Sequence, residues 1–204
     1  MNRSAILRTA HLATVPAYDG AMSRLGALCG VVGPAAFTLA WLAGQRRQDG
    51  YAVADEHISG LAARDATDPH VMTSGFLALG GCTVAFAAEL DRRLSGQGAG
   101  WGPPLIGVAG LATIAAGLFR RDRRSNNPPP GEPPGQSWVN DVHDAAAVVG
   151  GVTGTLGLVA LARRFQRDPD WRPLAKPALQ TALISTGISA WFARDTTATS
   201  SHGR

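Results

Sequence analysis

Five stretches without a single Asp, Glu, Lys or Arg divide the chain, at residues 25–44, 71–88, 101–119, 145–162 and 177–193. At about 1.5 Å per residue, each would cover roughly 25–30 Å as a helix, near the thickness of a bilayer's hydrocarbon core. A core-packing helix of a soluble protein commonly keeps a polar face at a period of 3.6 residues. The first window, LGALCGVVGPAAFTLAWLAG, is apolar all round. Pro34 and the many glycines suit a membrane helix, where neighbouring helices satisfy freed backbone groups. The fifth window is the most polar, with Gln180, Thr181, Ser185, Thr186 and Ser189. The pattern predicts an all-α integral membrane bundle of five transmembrane helices, between polar tails at 1–24 and 194–204.

Gly26 and Gly30, and likewise Gly150 and Gly154, lie four residues apart. Such pairs form grooves that let helices approach closely in lipid, here within one chain. Cys29 and Cys82 fall inside windows and are expected to pack as small apolar groups.

Composition alone points elsewhere. Mean hydropathy is +0.02 over 204 residues, which resembles a soluble protein. The mean conceals that all 34 charges lie outside the five windows. An apolar content of 45% excludes a disordered chain, and 2 cysteines exclude a disulfide-stapled miniprotein. The bias of 18 Arg to 1 Lys, with abundant Ala and Gly, suggests a GC-rich bacterial source and its plasma membrane. Membrane lipids are the expected partners, and no nucleic acid is expected.

Charge does not orient the bundle. The connections and tails on one side carry 10 Lys and Arg, and those on the other carry 9. Arginines follow every window, where a cation favours the negative end of a helix dipole on either side of the membrane. No apolar run precedes the first window, which is therefore expected to act as the insertion signal without cleavage. Trp41, Trp101 and Trp191 sit at window ends, as interfacial anchors do. Residues 128–135 (PPPGEPPG) are expected to form an extended spacer.

The connections 45–70 and 120–144 emerge on one side in either orientation. Together they hold nine of the 15 acids and three of the five histidines, His57, His70 and His143. Asp55, His57, Asp122, His143 and Asp144 form the candidate polar cluster. Histidine with carboxylates can ligate zinc or manganese or move protons, and Asp122, His143 and Asp144 are the candidate metal ligands. No HExxH or His pair at helical spacing supports a metal site, so no cofactor is predicted beyond that divalent-metal option. The simpler roles are structural. Asp68-Pro69 can open the second helix, Asp141 or Asp144 can cap the fourth, and Asp122 among arginines can form a salt-bridged turn. Glu89, at the end of the second window, reads as an interfacial residue beside Arg92 and Arg93.

Several short motifs resemble the multi-pass membrane family called domain of unknown function 998. They are Gly33-Pro34 with Phe37, Gly50-Tyr51, the run from His57 to Ala62, Gly117-Leu118-Phe119 with Asp122, and Val142-His143-Asp144. The likeness covers roughly residues 25–165. It implies usually six helices, a cytoplasmic N-terminus, outward-facing motif loops and no assigned activity. A polar segment stands after Ala193 where the sixth helix would follow. The first functional expectation is a structural or lipid-interacting protein without catalysis, because charge-free spans lack the ionisable groups that transport uses. The alternatives are an outward-facing metal-assisted hydrolase of lipid headgroups and a small transporter or sensor lined by Thr83, Thr113, Thr153, Thr155 or Gln180.

Overall fold

The computed structural model describes residues 17–53, 56–94, 100–122 and 137–201, the backbone alone at 17–23 and 191–201. Five α-helices follow one another: α1 (Ala17–Arg47), α2 (Pro69–Leu94), α3 (Gly102–Leu118), α4 (Trp138–Phe165) and α5 (Ala175–Ser201). Short 3₁₀ turns occupy Ile58–Ala62 and Arg172–Leu174, and no strand occurs among the described residues. Three helical segments are long and apolar enough to cross a membrane: Arg24–Arg47, Pro69–Leu94 and Trp138–Phe165. α3 is apolar and 17 residues long, and α5 is longer and more polar. This is the make-up of a membrane-embedded helical protein.

All the helices but α3 overrun their charge-free windows. α1 begins at Ala17 and α5 continues to Ser201, so parts of both expected polar tails are helical. Neither extension contains proline, and nothing in it forces the backbone out of the helix. The spacer at 128–135 lies outside the described residues. Pro34 leaves α1 unbroken, and the Thr38 hydroxyl donates to the Pro34 carbonyl at 2.9 Å.

Each substantial helix interface joins sequence neighbours, α1 to α2 and onward to α5, so the helices form a consecutive series. Small residues set the close approaches. Gly26, Gly30 and Gly33 on α1 face Glu89, Phe86 and Cys82 on α2. Gly80 and Gly110 mark where α2 crosses α3, because a Cβ on Gly80 would lie 2.6 Å from the Gly110 carbonyl oxygen. Gly150 and Gly154 face Ala112 and Ala109 of α3 at ordinary contact distance. Both predicted glycine pairs therefore pack within the chain. Val31, Leu39, Leu183 and Ile184 stay exposed, as residues bathed in lipid can.

The two ends are tied differently. At one end Leu90, Leu94, Leu161, Phe165 and Ala175 cluster, with the Trp171 ring stacked on Phe165 at 5.3 Å. Glu89, only 4% exposed, is held there by Arg92 and Arg93. At the other end the α1–α2 connection folds back on the helices. Leu61, Ala62 and Met72 are buried there with Phe37, Trp41 and Phe76 around them. Trp41 thus packs against protein, whereas Trp101 is 79% exposed at the start of α3; the Trp191 side chain lies outside the described residues.

Candidate functional site

The end that carries the histidines is built from two connections that touch. The Arg64 amide donates to the Arg121 carbonyl at 3.0 Å, and the Arg64 guanidinium reaches Asp122 at 3.5 Å. The α1–α2 connection turns at Gly50, whose φ of +69° is the left-handed conformation that glycine adopts without strain. Gln48 accepts from the Thr67 amide at 2.8 Å, and Arg47 pairs with Asp68 at 3.0 Å. Pro69 opens α2 as predicted, and the Asp68 carboxylate is engaged with Arg47.

Asp122 is a clamp. Its carboxylate accepts the Ser137 amide at 2.8 Å and the Ser137 hydroxyl at 2.9 Å. Ser137 caps α4 in turn, its Oγ accepting from the Asn140 amide at 3.4 Å. These Ser137 bonds, with Arg64 nearby, hold the Asp122 carboxyl below the usual carboxylate range against the opposing effect of burial. The cap of α4 is therefore Ser137, and the reading of Asp141 or Asp144 as cap is corrected: both stand inside the helix. The sequence signal was Ser137 itself, an N-cap residue type with Asp141 in the first turn after it, about two turns ahead of the window that begins at 145.

His143 is buried at 3% exposure and straps α4 to α3. Its Nδ1 lies 2.8 Å from the Ala116 carbonyl oxygen and 3.0 Å from that of Phe119. Carbonyls only accept, so Nδ1 carries the hydrogen and donates to two of the carbonyls left over at the C-terminus of α3. Gly117 lets Phe76 approach at the same place, where a Cβ would stand 2.7 Å from that of Phe76. Asp144, the next residue, has other partners. Asn140 donates to its Oδ2 at 3.1 Å, and Arg121 pairs with its Oδ1 at 3.8 Å.

The structure thus divides the candidate cluster. Asp122 faces Ser137 and Arg64, while His57, His143 and Asp144 share the wall of a cavity of about 830 Å³. Asp55 lies outside the described residues. Among the described residues no three His, Cys, Asp or Glu side chains converge to hold a metal ion. Arg121 and Ser59 join the polar mouth, although neither stood out in the sequence as a candidate. Burial, then the Arg121 charge, push the His57 imidazole below its ordinary range, with Asp144 opposing.

Below this mouth the cavity continues as an open groove along one face of α4. Its floor is Ala147, Val148, Gly151, Val152, Thr155 and Leu156, and α5 supplies Thr186 and Ser189. Gly151 has nothing within 4 Å of where its Cβ would stand, which leaves room in the groove. Of the threonines proposed to line a transport route, Thr155 faces this groove. The hydroxyls of Thr83, Thr113 and Thr153 bond back to their own helices.

The family model described as "Protein of unknown function (DUF998)" matches residues 31–203, which runs from within α1 through α5. No curated protein and no solved structure matches the chain.

Proposed function

The chain belongs to the DUF998 family, and we propose that it is a five-span protein of the cell membrane that holds a membrane lipid in the groove between α4 and α5. The N-terminus lies in the cytoplasm, the histidine-bearing end faces outward, and no bond is made or broken. One observation carries this reading: the cavity is polar at one end, with Arg121, Asp144, His57 and Ser59, and mainly apolar along its length. That division suits an amphiphile, and about 830 Å³ is within the size of ligand sites. The groove also has a suitable length. From Asp144 to Leu156 α4 rises roughly 18 Å, close to the ~15 Å of one leaflet's hydrocarbon layer.

The hydrolase reading has less support, since Asp122 and His143 are occupied in joining α3 to α4. Gly151→Leu tests the lipid reading. A leucine there enters open space and improves helix propensity, so the fold is expected to survive. Lipid extracted from the purified variant should fall to background while wild type retains it. Equal retention by both would refute the groove as the lipid site.

A further inference from the structure

The groove's charges also define a headgroup. Among the described residues, the formally charged side chains that line it are Arg121 and Asp144, opposite in sign and 3.8 Å apart. Arg121 is the more enclosed, with its side chain 15% exposed against 52% for Asp144. We propose that the groove selects a zwitterionic aminophospholipid of the phosphatidylethanolamine class, its phosphate on Arg121 and its ammonium on Asp144. This rests on the reading of the groove as a lipid site.

A purely anionic headgroup would meet Arg121 favourably and the Asp144 carboxylate unfavourably; a cationic amphiphile would meet the reverse. A zwitterion answers each charge with its opposite. It offers each member of the long Arg121–Asp144 pair a charge-assisted contact of its own. A planar guanidinium can bind phosphate through two parallel N–H donors, and a primary ammonium gives Asp144 hydrogen-bond donors. His57 adds no fixed positive charge near neutral pH, because burial and Arg121 favour its neutral form. Had it been charged, the balance would have tipped toward anions.

The test is native mass spectrometry of the purified full chain, titrated with phosphatidylethanolamine or with phosphatidylglycerol. Wild type is expected to retain the first over the second by roughly tenfold, the effect of about one charge-assisted contact. Asp144→Asn keeps the shape of a half-exposed side chain, so it should fold. It is expected to weaken phosphatidylethanolamine, strengthen phosphatidylglycerol and bring the ratio close to one. Phosphatidylglycerol bound as well as phosphatidylethanolamine by wild type would overturn the proposal, as would a ratio unmoved by Asp144→Asn. The Gly151→Leu variant separates the two failures. If it loses both lipids while wild type shows no preference, the groove stands and the headgroup assignment falls. If wild type retains neither lipid, or the variant retains both equally, the groove and the headgroup fall together.

Discussion

Asp122 and His143 show how residues that look reactive in the sequence are used to join helices. Asp122 closes the α3–α4 connection by accepting twice from Ser137, and His143 donates to the carbonyls that end α3. Asp122→Asn should cost about 1–2 kcal/mol at neutral pH, because a charged acceptor of two hydrogen bonds becomes a neutral one. The pH dependence follows from the lowered carboxyl pKa. Stabilisation is complete above the ordinary Asp range near ~3.9 and is lost as pH falls through the folded value. Denaturation in detergent from pH 7 to pH 3 should therefore show a smaller acid-induced loss for Asp122→Asn than for wild type. An identical loss in both would remove Asp122 from the clamp. The Asp122 and His143 roles were not legible in sequence, since their partners lie 15 to 27 residues away.

At the scale of the element, adjacent glycines have opposite roles. Gly80 of α2 faces the α3 backbone, where an added Cβ would stand 2.8 Å from the Ile114 amide nitrogen, whereas Gly81 has nothing within 4 Å. Gly80→Ala must push two helices apart and is expected to cost about 1–3 kcal/mol, as overpacking does. Gly81→Ala should be neutral or slightly stabilising, by up to about 1 kcal/mol from helix propensity. Thermal unfolding of the two variants side by side checks this, and equal midpoints would contradict the crossing at Gly80–Gly110. The sequence shows glycines at helical spacing, and it cannot say which side of a helix meets a neighbour when the helix is apolar all round.

For the whole molecule, the consecutive series places residues 56–68 and 119–122 at one end, where Arg64 touches both Arg121 and Asp122. The link between Arg164 and Leu94 and the apolar cluster beside it tie the C-terminal ends of α2 and α4 together at the opposite end. Five spans with the N-terminus inside require the 45–70 connection and the C-terminus to be outside. Reporter fusions at both places should show activity only of the reporter that works outside the cytoplasm. A cytoplasmic signal from the C-terminal fusion alone would mean that α5 does not cross. The test falls on α5 because its serines, threonines and Gln180 make it the most polar of the five windows.

The sequence by itself determined the membrane-embedded helical class and approximately where each helix lies. Excluding charge from 17- to 20-residue stretches is a local property with one dominant physical cause, the cost of a charge in hydrocarbon. The short motifs also sufficed for the family, which the match over 31–203 establishes. Tertiary structure alone decided how the polar cluster divides, with Asp122 drawn to Ser137 and Asp144 to Asn140 and Arg121. It alone joined that polar mouth to the face of α4 that runs through Gly151. Side-chain direction and the meeting of distant segments depend on packing between helices, and an apolar surface without a polar face does not encode them.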